Sequence, residues 1–152
     1  MPSSAPCGVP RTGQDTMILL PLSPSESDVF AVVGHWLDLL AADDFYSAFA
    51  LTAQDEAAGW TPELMRRVIR GYGLVDDPKH DCKVTSRDRA LGSPEREMNM
   101  WTPIARPAGH CAIGWVAHSI PLDGKWSDLS VTFEICKRES HCFLELDEIH
   151  VF

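Results

Sequence analysis

Apolar residues follow two different rhythms along this chain. Between Val29 and Ile69 they recur at helical spacing, and between Ala112 and Phe152 they alternate with polar residues. In the first regime, Ser23-Pro24-Ser25-Glu26 is a helix start. Ser23 is read as the cap, Pro24 as the first helical residue and Glu26 as the returning partner of a capping box. The helix that follows carries a wide apolar stripe: Val29, Phe30, Val32, Val33, Trp36, Leu37, Leu39 and Leu40. That width suits a helix clasped by other structure. Ala41 to Asp44 ends it, and Asp43 or Asp44 caps a short second helix through Phe45, Phe49 and Leu51. Thr61-Pro62-Glu63 starts a third helix, which runs to the glycines around Tyr72, with Arg66, Arg67 and Arg70 complementing its C-terminal dipole.

In the second regime, Ala112 to Leu122, Asp128 to Cys136 and Cys142 to Phe152 read as an antiparallel meander, turned at Asp123-Gly124 and at Lys137 to His141. In the middle strand Leu129, Val131, Phe133 and Ile135 share one face, and Asp128, Ser130, Thr132 and Glu134 the other. The last strand changes parity between Leu146 and Ile149, an odd step that a bulge near Asp147 and Glu148 absorbs. Weaker candidate strands lie at Cys82 to Ser86 and Glu97 to Trp101, in a stretch divided by four prolines; Met17 to Leu22 is a strand or a lead-in to the first helix. The expected fold is α+β, with N-terminal helices packed in a bent antiparallel sheet, a cone or half-barrel.

Residues 1–16, rich in Pro, Ser and Gly, read as a flexible tail, with Met17 an alternative translation start and 17–152 a single domain. Thirteen basic against twenty-two acidic residues give a net charge of −9, which repels nucleic acid and anionic lipid and favours a cationic partner. The acid is concentrated, since no Lys or Arg occurs from Thr12 to Met65. An acidic solvated face is the ordinary meaning of such a run. Read as an interaction surface, it offers Asp43, Asp44, Asp55 and Glu56 on the helical layer, and Glu145, Asp147 and Glu148 on the last strand.

Five cysteines without regular spacing are read as reduced thiols in a cytoplasmic protein, with Cys136 and Cys142 flanking the last turn. No stretch has the length and apolarity of a membrane span. The pairs His80-x-Cys82, His110-Cys111 and His141-Cys142 invite a zinc reading. Adjacent strand residues point to opposite faces and no Cys-x-x-Cys hook occurs, so no metal is expected.

Two features carry a resemblance to a known family. Trp36 to Leu40 and the Asp-Asp-Phe-Tyr helix start at Asp43 to Tyr46, in this order of elements, resemble the nuclear-transport-factor-2-like cone fold. Gly71-Tyr72-Gly73, Trp126-Ser127-Asp128-Leu129 and Leu146 to Val151 resemble uncharacterised small bacterial proteins with Tyr-Gly, Ser-Asp-Leu and Asp-x-Ile-His-Val patterns. The resemblance implies a bacterial protein of the kind found among toxin-neutralising immunity proteins; the wider fold also hosts isomerases and dehydratases.

No catalytic residue and no cofactor are assigned, because phosphate loops, nucleophile elbows and basic aromatic stripes are absent. The expected function is non-enzymatic binding of a basic protein partner such as a toxin domain, by a monomer or homodimer, with no nucleic acid or membrane partner. The alternative is a small-molecule binder or isomerase-like enzyme using the cone interior. Its possible pocket residues are Tyr72, His118 and Trp126. His118 shares a face with the core residues Val116 and Ile120, where a structural histidine is the commoner outcome.

Overall fold

The computed structural model describes residues 17–72, 81–101 and 111–151. The 1–16 tail, Gly73, His80, His110 and Phe152 lie outside them. Three helices, α1 (Glu26–Ala41), α2 (Phe45–Ala50) and α3 (Pro62–Arg70), precede most of a five-stranded sheet. Its strands are β1 (Ala53–Gln54), β2 (Arg96–Met100), β3 (Ala112–Leu122), β4 (Lys125–Lys137) and β5 (Cys142–Val151). The fold is α+β, with strand order β1-β5-β4-β3-β2. The long strands are antiparallel, as the alternation requires. The two-residue β1 runs parallel to β5, which makes the sheet mixed. No helix among the described residues is long and apolar enough to cross a membrane.

The start of α1 lies two residues later than the sequence pattern suggests. Ser25, not Ser23, is the cap: its hydroxyl accepts from the Asp28 N–H, and the Asp28 carboxylate accepts from the Ser25 N–H at 2.9 Å. Both serines have an acid three positions on, so local chemistry offers two equivalent starts, and Pro24 suits a position just outside the helix as well as one inside. At the other end the N–H groups of Asp43 and Asp44 reach the carbonyls of Leu40 and Leu39, a Schellman closure with Asp43 in the left-handed region at φ 62°. Asp44 then caps α2 by accepting from the Ser47 N–H, and Thr61 caps α3.

Trp36 of α1 meets Phe133 of β4 edge to face, with ring centroids 5.2 Å apart, at the centre of a core that also holds Leu37, Met65, Ile69, Val116, Ile135 and Leu146. Full burial of side chains this size stabilises the fold by roughly 1.5–3 kcal/mol each. Val84 and Leu20 make single bridges, to Leu122 and Cys142, so Cys82 to Ser86 and Met17 to Leu22 are not ladder strands. Their backbones instead strap the ends of the sheet. Residues Lys83 and Thr85 bond to the β3–β4 turn, where Asp123 and Gly124 have φ 50° and 93°, the geometry of a two-residue type I′ hairpin.

The sheet is irregular in three places. Register shifts lie between Ala112 and Gly114, between Ser119 and Pro121, and between Thr132 and Phe133. At the last, Thr132 faces Glu148 and Phe133 faces Leu146, so Asp147 is the extra residue of a bulge. The parity step in β5 therefore has the expected cause.

A second small cluster, Ala112, Cys136 and Phe143 with Trp101, Cys111, Met17 and Ala53, sits on the sheet face away from the helices. Cys142 belongs to the main core and Cys136 to this satellite, so the two thiols lie on opposite faces of the hairpin they flank. Among the described residues Cys82, Cys111, Cys136 and Cys142 form no disulfide.

Candidate functional site

Pairing of β2 to β5 brings one parity of each strand to the helix-distal face. There Trp115 lies across from Glu134, Ala117 from Thr132, Thr132 from Glu148 and Ser130 from His150. Together with Trp101 and the Pro94 to Glu97 segment they line a concavity of about 830 Å³. Among the described residues five carboxylates belong to its lining: Glu95, Glu97, Glu134, Asp147 and Glu148. Among the described residues Arg96 is the one Lys or Arg of that lining, and its guanidinium lies 4.7 Å from the Phe30 ring centroid on α1, turned to the helical side. His150 Nδ1 is 3.5 Å from the Glu148 carboxylate. Glu134 and Glu145 are direct cross-strand partners, a like-charge pairing that destabilises a sheet in isolation.

The bulge sets the acidic rim. The Thr132 hydroxyl donates towards the Asp147 carboxylate and the Glu148 carbonyl, at 3.3 and 3.4 Å, and the Trp60 indole donates to the Asp147 carbonyl at 3.0 Å. These contacts hold Asp147 and Glu148 at the mouth of the concavity with both side chains exposed.

The helical acids have local work. Asp43 pairs with Arg66 at 2.8 Å and with Arg70 at 2.9 Å, and Arg70 also reaches Asp81. Hydrogen bonding to Arg70 holds the Asp81 carboxyl below its usual range. Asp44 caps α2, Asp55 caps the 3-10 turn Glu56–Ala58 by accepting from the Ala57 N–H, and Glu56 is exposed. The helix-side and sheet-side acids proposed from sequence thus fall on separate surfaces; of the sheet-side set Asp147 and Glu148 line the cavity and Glu145 does not.

His118 enters the core as its alternation suggests, only 5% exposed, between Phe30 and Trp126 at ring-centroid distances of 6.0 and 5.6 Å. Its Nδ1 lies 2.8 Å from the Ser119 carbonyl, which can only accept, so that nitrogen carries the proton. Burial lowers the His118 pKa; the carbonyl bond opposes this, and the Arg96 and Arg87 charges add to it. The Tyr72 hydroxyl donates to the Asp128 carboxylate at the sheet margin. Tyr72 and Trp126 are both packed on the main core, so His118, Tyr72 and Trp126 are neighbours of packed side chains rather than walls of an open pocket.

Trp101, Trp115, Glu95, Glu97 and Glu134 are not among the candidate site residues that the sequence offers. Alternation already assigns Glu134 and His150 to the outer face; what it lacks is the register that brings four strands' outer residues together. Among the described residues no group of three His, Cys, Asp or Glu gathers as a metal site. Comparison of the chain with protein-family models, curated proteins and solved structures gives no match, and the chemistry of this acidic, tryptophan-walled face is what remains to indicate function.

Proposed function

We propose that the chain is a non-enzymatic binding domain that recognises a basic protein surface through the helix-distal face of its sheet. The observation that carries this reading is the concavity in which the described residues place five carboxylates and one arginine, the latter turned away. Trp101 and Trp115 add aromatic area, which binds the apolar stems and the charged heads of Arg and Lys. Electrostatic steering would speed capture and make it salt-sensitive. A toxin-neutralising role of the immunity type, as the resemblance to the cone-fold proteins suggests, is the narrower form of this proposal.

The alternative, chemistry inside the cone, needs open space on the helix side of the sheet. That space holds Trp36, Phe133, Ile135 and Leu146, each buried to 1% exposure or less. No observation favours it.

The test is binding of a fluorescent Arg-rich peptide at low and high salt. Charge reversal at Glu97, Glu134 and Glu148 should abolish binding, while Glu56→Lys on the helical layer should leave it intact. Equal binding by wild type and the triple variant would remove the sheet face from consideration.

A further inference from the structure

Strand β2 ends the sheet on the side opposite β1, and no other strand covers it among the described residues. Its register with β3 pairs Arg96 with His118 and Met100 with Gly114, and the Ser119 N–H donates to the Glu95 carbonyl while the Trp101 N–H donates to the Ile113 carbonyl. Hydrogen-bonded pairs alternate in an antiparallel ladder. Glu95, Glu97, Asn99 and Trp101 therefore turn their backbone groups towards β3. Arg96, Met98 and Met100 turn theirs away from the sheet, and no hydrogen bond among the described residues reaches those groups. The edge is thus a row of donors and acceptors with the spacing of a strand, bordering the acidic concavity.

We propose that the partner's basic segment binds by adding to β2 as a further strand, with alternate side chains read by the two faces of the sheet. This rests on the binding function proposed above and specifies its mode. Main-chain hydrogen bonds to Arg96, Met98 and Met100 would supply sequence-independent affinity, and side-chain parity the specificity. Residues of the added strand at the level of Glu95 and Glu97 lie on the concavity's face and are cationic. Those at the level of Met98 and Met100 lie on the other face and are apolar, because Met98 is packed on the main core and Met100 is exposed beside it. The recognised pattern is a short extended run of alternating basic and apolar residues. A second copy of this chain is the poorer occupant, since pairing β2 with itself gathers the Glu95 and Glu97 carboxylates of both copies on one face.

The experiment uses a labelled, end-blocked peptide of alternating Arg and Val, and the same peptide N-methylated at alternate amides so that one edge cannot donate. Anisotropy is read on the full chain and on Met98→Pro. Proline is tolerated where an edge N–H faces solvent, yet it removes a donor that the added strand requires. Binding by wild type, with a loss of about tenfold or more in Met98→Pro and a like loss for the methylated peptide, is the expected result. The methylated peptide tests the mode on wild type even if Met98→Pro fails to fold. Equal binding of both peptides by wild type and Met98→Pro, still abolished by charge reversal at Glu97, Glu134 and Glu148, would overturn strand addition and leave the acidic-face reading standing. Failure of every cationic peptide to bind would overturn both. A concentration-dependent dimer that Met98→Pro abolishes would assign the edge to a second copy and also overturn the proposal.

Discussion

The indole nitrogen of Trp60 and the carbonyl oxygen of Asp147, 87 residues apart in sequence, are joined by a 3.0 Å hydrogen bond. It links the loop before α3 to the bulge in β5, so the helical layer helps to set where the acidic rim stands. Trp60→Phe keeps most of the ring and removes the donor. A loss of about 1 kcal/mol in urea denaturation is expected, together with weaker binding of cationic peptide, because Asp147 and Glu148 lose an anchor. Unchanged stability and unchanged binding would show that Thr132 alone holds the bulge.

Asp43 closes α1 in the left-handed conformation, which Asn and Gly adopt readily and Ala does not. Asp43→Ala should therefore destabilise by about 1 kcal/mol relative to Asp43→Asn, since both variants lose the pairs to Arg66 and Arg70. Denaturant melts of the two variants provide the comparison. If they coincide, the turn tolerates a right-handed substitute.

Burial lowers the His118 pKa below its ordinary 6.5. The unfolded chain then binds a proton at a pH where the folded chain does not, and acid favours unfolding. Stability from this group is fully present above about 6.5 and is lost as pH falls from there towards the folded value. His118→Gln, which has no such titration, should show a flatter fall in melting temperature between neutral and mildly acidic pH. An identical slope in both proteins would place the acid sensitivity elsewhere.

Gly114 sits where a Cβ would lie 2.5 Å from the Asn99 carbonyl oxygen, a backbone atom of β2 that cannot swing aside. Gly114→Ala must shift the edge strand, with a cost of about 1–3 kcal/mol. Since that shift also moves Glu97 and the outward groups of Met98, peptide binding should fall, whereas Glu56→Lys leaves it intact. Titration calorimetry beside a thermal melt separates the two effects.

Thiol chemistry offers a further check. Burial pushes the Cys82 thiol up to about 11, with Asp123 adding to the shift, and pushes the Cys136 and Cys142 thiols up as well. The thiolate is the reactive form. Alkylation at mildly basic pH, followed residue by residue by mass spectrometry, should modify the partly exposed Cys111 ahead of these three. Early labelling of Cys142 would contradict its place in the main core.

Where the chain's periodicity is strong, the fold is legible. The α1 stripe, the bounds of β3, the Asp123-Gly124 turn and the parity step at Asp147 all follow from residue order and local sterics. The cap at Ser25 does not, because Ser23 and Ser25 carry the same pattern and burial of the helix decides between them. Nor do the straps at Leu20 and Val84, or the parallel pairing of Ala53 and Gln54 with β5. These are made by backbone groups meeting across long separations, which side-chain pattern does not encode. The same limit explains the site. Asp147 and Glu148 stand out in one strand, but Glu95, Glu97 and Trp101 join them only once β2 is docked on β3.

The two margins of the sheet are unequal. Along β5, Leu20 bridges Cys142, β1 covers Glu145 and Leu146, and the Trp60 indole occupies the Asp147 carbonyl, whereas β2 has no such cover among the described residues. A sheet covered at one margin cannot extend from both ends, so strand addition is confined to the β2 side. Growth of the chain into linear polymers through both sheet margins is disfavoured by this asymmetry.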